Sequence, residues 1–251
     1  MKASNRLAVI VAATVALLAL SVPVYASRTD DRIESSAKKS YVFQTYLQGD
    51  DVKIQSLNGA VTLTGTVAEE SHKILARDTV AGLPGVKSVD NKLEIKGESP
   101  AERSDAWITA KVKTMFLFHR NVSAMTEVDT KDGIVTLKGK ALNSAQKDLT
   151  TEYAKDVEGV KDVVNEMTVG KDAKKKQTAG SRIDDASITA QVKMTLLYHR
   201  STSGISTSVA TKKGVVTLTG KAKSEAEKDL AAKFAGNVNG VKAVNNKMSI
   251  E

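Results

Sequence analysis

Cysteine is absent from the 251 residues of the chain, and only 4% of them are aromatic. A chain without cysteine has no disulfide, no thiolate nucleophile, no cysteine-ligated metal and no lipid-modified cysteine, so a lipoprotein is excluded. With one tryptophan and few other aromatic residues, hydrophobic cores must be built from Val, Ile, Leu and Ala. This composition favours several small domains with modest cores over one large enzyme with a deep cleft.

A long apolar run is found only near the N-terminus. Lys2 and Arg6 precede the run, which spans residues 7–20, and a small-residue sequence ending at Ala26 follows it. This order is typical of a secretory signal peptide, and the run is shorter than the roughly 20 residues that span a bilayer. We predict that residues 1–26 are a signal peptide cleaved after Ala26, which leaves an exported, soluble protein. The alternative is a retained N-terminal anchor.

The remaining sequence repeats three times. Residues 105–120 and 185–200 are identical at ten of sixteen positions, and the similarity continues with the same spacing through 132–141 and 213–222. A third copy, more divergent, precedes these two. We therefore predict three domains, which we call units 1, 2 and 3, at residues 28–96, 103–170 and 182–251.

Each unit begins with a predicted amphipathic helix and a hairpin. In unit 2, Ile108 and Val112 have helical spacing behind Asp105, which we interpret as the helix N-cap. In unit 1, alternating apolar residues flank Asn58 and Gly59, a pair that supplies the positive φ of a two-residue hairpin turn. Residues 132–133 and 213–214 occupy the same place in the other units.

A second helix and a final strand complete each unit. The helix is predicted to start near a serine in every copy, and Ser224 with Glu227 fits a capping box. It is predicted to end before a glycine that can adopt the left-handed conformation. The starting serines and the glycines are Ser71, Ser144, Ser224, Gly85, Gly159 and Gly240. The predicted fold class is α+β, with three tandem small α-β-β-α-β sandwiches that each contain a mixed three-stranded sheet.

Two glycine-containing motifs recur in every unit. The first, Gly-x-Val-x-Leu-x-Gly, occupies residues 59–65, 133–139 and 214–220, and the second, Gly-Val-x-x-Val-x-Asn, occupies 85–91, 159–165 and 240–246. Together with the helices, they resemble the BON domain of bacterial envelope proteins. The resemblance implies two helices on one face of each sheet and a periplasmic location. It also implies roles in osmotic-stress tolerance, envelope integrity, phospholipid contact or chaperone-like assistance.

The sequence contains few residues in arrangements that are typical of catalytic sites. His119 and His199 recur as His-Arg at the end of the first helix, where cationic side chains favour the helix dipole, and His72 stands alone. No serine lies in a Gly-x-Ser-x-Gly elbow, and the glycines fit neither a phosphate-binding loop nor a dinucleotide fingerprint. We predict that the protein is not an enzyme and has no catalytic residue, no cofactor and no metal site.

Positive charge is concentrated near the C-terminal unit. Residues 171–181 are polar and rich in lysine, which predicts a basic flexible linker. Residues 171–182 carry a net charge of about +4, and the rest of unit 3 carries about +4 as well. For an exported protein, this asymmetry favours an anionic phospholipid or outer-membrane surface as partner, and not nucleic acid. The predicted contacts are Lys174, Lys175, Lys176 and Arg182; the alternative is a soluble basic linker without a partner.

One aromatic position differs between the repeats. Trp107 aligns with Ser187, so this position does not need an apolar side chain, and we predict that Trp107 is partly exposed. Beside an exposed apolar helix end at Phe118, Trp107 would contact a membrane interface or an unfolded protein. The alternative is that Trp107 packs between units 1 and 2.

These features predict a non-catalytic envelope-maintenance or osmotic-stress protein that binds anionic phospholipid surfaces. The alternative function is a periplasmic chaperone that binds unfolded proteins. The sequence defines no oligomeric state.

Overall fold

A computed structural model describes residues 28–122, 125–170, 182–203 and 206–251 of the chain. The predicted signal peptide and the basic linker, with Lys174, Lys175 and Lys176, lie outside the described residues.

Each unit contains two main helices and a small sheet. In unit 1 the elements are α1 (Arg28–Lys39), α2 (Tyr41–Thr45), β1 (Asp51–Leu57), β2 (Ala60–Val67), α3 (Glu70–Ala81) and β3 (Ser88–Ile95). Those of unit 2 are α4 (Asp105–Phe118), β4 (Glu127–Lys131), β5 (Ile134–Lys138), β6 (Lys140–Ala141), α5 (Ser144–Lys155), β7 (Asp162–Asn165) and β8 (Thr168–Val169). Unit 3 comprises α6 (Asp185–Tyr198), β9 (Ser206–Lys212), β10 (Val215–Ala222), α7 (Glu225–Gly236), β11 (Ala243–Asn246) and β12 (Ser249–Ile250).

The main sheet of each unit has the same topology, and β6 and β8 of unit 2 form a separate two-stranded sheet. The second strand is central: β2 pairs antiparallel with β1 and parallel with β3, β5 pairs in the same way with β4 and β7, and β10 with β9 and β11. The central strands alternate buried Val or Leu with more exposed residues, because one sheet face packs against the helices. The predicted α+β class, with a mixed sheet in every α-β-β-α-β unit, is confirmed; the short helix α2 was not predicted.

An aspartate near the start of each first helix holds the hairpin turn. The Asp105 carboxylate accepts hydrogen bonds from the backbone amides of Asp132 and Gly133, at 2.8 and 2.9 Å. The interpretation of Asp105 as the N-cap is therefore wrong. The N-cap is Ser104, whose hydroxyl accepts from the Trp107 amide. Asp30 and Asp185 bind the hairpin turns of units 1 and 3 in the same way.

The predicted turn conformations are present. Asn58 and Gly59 have φ values of 53° and 83°, as a two-residue hairpin turn of this kind requires. Gly85 also has a positive φ, of 92°, but it lies beyond the helix C-cap, which is Gly82. A side chain at Gly85 would come within 2.9 Å of Thr29, so this glycine allows close packing against α1.

The described residues form two hydrophobic cores, although there are three units. Units 2 and 3 share one core, in which Leu137 of β5 and Leu218 of β10 are both fully buried. The core of unit 1 extends onto unit 3 and includes Ala190 and Met194 of α6. Helix α6 therefore lies between unit 1 and the sheet of its own unit, and most of its residues are buried.

Candidate functional site

Units 2 and 3 meet in a nearly symmetric contact, which we call the unit 2–3 interface. It consists of the segments 118–121, 153–157, 198–201 and 234–241. The Arg120 amide donates to the Asn237 carbonyl at 2.9 Å, and the Arg200 amide donates to the Asp156 carbonyl at 2.6 Å. Equivalent residues of the two repeats thus make equivalent bonds, and the interface is an internal pseudo-dimer.

Two histidines lie at the centre of this interface. His119 and His199 are 2% and 0% exposed, and their Nε2 atoms are 3.1 Å apart. Each ring stacks on an aromatic ring, His119 on Tyr153 and His199 on Phe234. Burial and the charge of His199 lower the pKa of His119 to about 3. The expected cationic role of His119 at a helix end is therefore wrong, because its buried imidazole is neutral.

Unit 1 docks on α6 through hydrogen bonds and close packing. The Tyr41 amide donates to Asp184 Oδ2 at 2.8 Å, and the Val42 amide donates to Ser187 Oγ at 3.1 Å. Ser187 is fully buried. Gly82, the C-cap of α3, approaches Ala186 so closely that a β-carbon on Gly82 would lie 3.3 Å from Ala186. Small residues on one face of α6 therefore form the surface on which unit 1 docks.

Trp107, the counterpart of Ser187 in unit 2, is half-buried against the core that units 2 and 3 share. The Lys111 ammonium lies 3.7 Å from the Trp107 ring centroid and 4.9 Å from that of Tyr198. Burial lowers the pKa of Lys111. The negative charges of Glu158 and Glu102 act in the opposite direction and offset part of this shift. The predicted partial exposure of Trp107 is confirmed. It packs on the shared core, which argues against the alternative contact between units 1 and 2.

The side chain of Phe118 is buried, whereas the sequence predicts that it is exposed. Its side chain is fully buried, and its ring meets the edge of Tyr46 in unit 1, with 5.4 Å between the centroids. The expectation of an exposed Phe118 is wrong because unit 1 covers this end of α4. The neighbouring Leu117 is 37% exposed, and its counterpart Leu197 in unit 3 is 45% exposed. Arg182, at the start of unit 3, is exposed.

No helix within the ranges given above is both long enough and apolar enough to cross a membrane. The same ranges contain no group of three or more His, Cys, Asp or Glu side chains arranged to hold a metal ion.

Fold and contacts together define a protein of three small α+β units, two of which form a pseudo-dimer that carries the third. The BON domain model matches the chain three times, at residues 29–97, 104–171 and 184–251. The chain therefore belongs to the BON domain family.

Relatives with assigned names come from several bacteria. Osmotically-inducible protein Y of Escherichia coli K12 is 34% identical over 196 residues, which are 78% of this chain and 95% of that protein. The outer membrane lipoprotein DolP of Haemophilus influenzae is 32% identical over 64% of this chain and 74% of its own length. A 21 kDa hemolysin of Actinobacillus pleuropneumoniae is 33% identical over 45% of this chain and 59% of its own length.

Among solved structures, the chain matches CdsD, described as a structural protein of the type III secretion system of Chlamydia trachomatis. The two are 17% identical over 88% of this chain and 91% of that chain, with a TM-score of 0.24. A likeness this distant supports no functional argument.

Proposed function

We propose that the chain is a non-catalytic envelope protein of the periplasm that acts in osmotic stress or envelope maintenance and binds anionic phospholipid surfaces. The names of two relatives support the general role, since one is osmotically inducible and another is an outer membrane lipoprotein. The contact with lipid is inferred from the chain itself, and it involves Trp107, Lys111, Arg182 and the lysines of the linker.

The observation that carries the proposal is the Trp107–Lys111 pair. A half-buried tryptophan with an apolar body, covered by an ammonium group, has the properties of side chains that lie at a membrane–water interface. Moving the ammonium group from the indole ring to a lipid phosphate gives up a cation–π contact, which contributes about 0.5–1 kcal/mol at exposed sites and about 2 kcal/mol when it is desolvated.

The basic linker supplies the long-range attraction. Lys174, Lys175 and Lys176 are consecutive, and Arg182 begins unit 3. Each basic residue near an anionic leaflet contributes about 1 kcal/mol, so the three lysines together contribute up to about 3 kcal/mol, or on the order of a hundredfold in affinity. Salt screens this attraction, so binding must weaken as ionic strength rises.

Liposome co-sedimentation tests the proposal. We expect the protein to sediment with vesicles that contain phosphatidylglycerol, and not with pure phosphatidylcholine. The triple change Lys174→Gln, Lys175→Gln and Lys176→Gln should weaken binding at least tenfold. The matched control changes three exposed lysines of unit 1 to glutamine, Lys38, Lys39 and Lys53, and should leave binding nearly unchanged. Equal losses in both triple variants would contradict the assignment of the linker.

A chaperone that binds unfolded proteins is the second candidate function. It is favoured by apolar side chains on the sheet face that the helices of unit 2 leave open, where Ile134 and Val164 are 42% and 44% exposed. These two residues lie on the same face, since Thr136 pairs with Val164 and follows Ile134 by two positions. This function predicts suppression of aggregation that hardly changes with salt and that the pair Ile134→Thr and Val164→Thr reduces. Suppression that survives both changes would argue against this surface.

A further inference from the structure

The pseudo-dimer of units 2 and 3 is asymmetric at one pair of positions. Asp156 lies beside His199, with 2.9 Å between Asp156 Oδ2 and His199 Nδ1, and it also accepts hydrogen bonds from Ser201. The equivalent position beside His119 is Asn237. Its amide donates to the Tyr153 hydroxyl instead, at 2.7 Å. Two buried imidazoles therefore share a single neighbouring carboxylate.

The Nδ1 atom of His119 is consequently left without a hydrogen-bond partner among the described residues. A buried polar atom without a partner is costly, and a buried charge without a partner is more costly still. A proton on His119 would place a cation at this site without a carboxylate beside it, 3.1 Å from the ring nitrogen of His199.

The other groups around the pair do not offset that charge. The Arg120 guanidinium is bound to the carbonyls of Val238 and Val241, and the Arg200 guanidinium donates to the Lys155 carbonyl. The rings of Tyr153 and Phe234, on α5 and α7, are neutral and apolar on the faces that meet the imidazoles. Among the described residues, Asp156 is the carboxylate that hydrogen-bonds to the pair, while Glu152 on α5 is paired with Lys155.

Backbone bonds that join units 2 and 3 lie directly beside this pair. The Asn239 amide donates to the Phe118 carbonyl at 2.9 Å, next to the bonds of the Arg120 and Arg200 amides. We propose that the His119–His199 pair makes the unit 2–3 interface acid-sensitive: protonation of His119 separates the two units at this point and exposes Tyr153 and Phe234. The proposal is independent of lipid binding.

The direction of the pH effect follows from the protonation states. His119 has a pKa of about 3 when the interface is closed, well below its ordinary value of 6.5. The closed state thus binds fewer protons than the open state between these values. The stability of the interface is fully present above about pH 6.5 and decreases as the pH falls toward 3. The pKa of Asp156 is also lowered, so its carboxylate remains charged through the upper part of this range.

Hydrogen exchange of the full chain, followed by NMR at the amides of Arg120, Arg200 and Asn239, tests the proposal. If opening returns His119 to its ordinary pKa, these amides should become accessible roughly twentyfold more often at pH 5 than at pH 7. Amides of the β1–β2 pairing in unit 1 serve as the internal reference after correction for intrinsic exchange. A change of less than twofold relative to that reference would overturn the proposal.

Two variants separate the role of His119 from general acid instability. His119→Phe keeps a ring that can stack on Tyr153 and removes the proton site, so the acid response of the three amides should disappear. Asn237→Asp supplies the missing carboxylate, which favours protonated His119 in the closed state, and should reduce the response at least threefold. If both variants respond to acid as the wild type does, the histidine pair is not the sensor. If His119→Phe does not fold, Asn237→Asp decides the question alone.

Discussion

Helices α4 and α6 have closely similar sequences and very different surroundings. Ten of sixteen residues are identical between 105–120 and 185–200, yet α6 is buried on nearly every side and α4 has an open face. The difference is concentrated at two positions one helical turn apart. Where α6 has Ser187 and Gln191, both fully buried, α4 has Trp107 and Lys111.

The two helices show that copies of one element in a repeat protein can make different contacts. Ser187 is small, and its hydroxyl accepts a hydrogen bond from the Val42 amide of unit 1. A tryptophan in that position would fill the space that unit 1 occupies. Trp107 and Lys111 occupy the N-terminal half of the equivalent stripe of α4, whereas Thr114 and Phe118, farther along the same helix, contact Glu69 and Tyr46 of unit 1. The N-terminal half of this stripe is thus the part of α4 that is available to another partner.

The largest effect is expected when the residues at the aligned positions 107 and 187 are exchanged. Ser187→Trp introduces a large ring at the docking site of unit 1 and removes a buried hydrogen bond. We expect the free energy of unfolding to fall by about 3 kcal/mol, with loss of unit 1 docking. The reverse change, Trp107→Ser, removes a half-buried ring and should cost only about 1 kcal/mol. Urea unfolding followed by circular dichroism measures both; similar losses would contradict the assigned difference between the helices.

An intermediate effect is expected where the two helices are alike. Asp105→Ala and Asp185→Ala each remove a carboxylate that accepts from two hairpin amides at 2.7–2.9 Å. Each change should destabilise the protein by about 2 kcal/mol, because both amides lose a charged acceptor. Equal losses in thermal or urea unfolding would confirm that the two repeats share this contact. A large difference would mean that the turn contact depends on the surroundings of each helix.

The smallest effect is expected at the aligned positions 111 and 191. Lys111→Gln gives α4 the residue that α6 has and removes the ammonium group from the Trp107 ring. The free energy of unfolding should change by less than about 1 kcal/mol, while affinity for anionic vesicles should fall severalfold. An unchanged vesicle affinity, measured by co-sedimentation, would remove Lys111 from the proposed lipid contact.

Local patterns in the sequence were sufficient to predict the units, their α-β-β-α-β order and the hairpin turns. Asn58 with Gly59, for example, determines its turn through its own backbone preferences. Features that depend on distant residues could not be predicted in this way. The partners of Asp105 lie 27 and 28 residues away, so the sequence around Asp105 by itself indicates an N-cap.

The environment of Phe118 and the histidines depends on contacts between units, which no repeat pattern reveals. Phe118 has the sequence context of an exposed helix end, but Tyr46 of unit 1 covers it. His119 and His199 look like separate helix-end cations, but the pseudo-dimer brings them together and buries both. The position of Trp107 was predictable because the aligned Ser187 showed that the core does not require an aromatic ring there.

The fluorescence of Trp107 tests the central claim most directly, that the open face of α4 contacts anionic membranes. Trp107 is the single tryptophan of the chain, so the wild-type protein needs no label. We predict that its emission shifts to the blue on vesicles with anionic lipid, does not shift on zwitterionic vesicles, and returns to its original position at high salt. Binding to anionic vesicles without any shift in emission would show that α4 does not contact the lipid and would contradict the account.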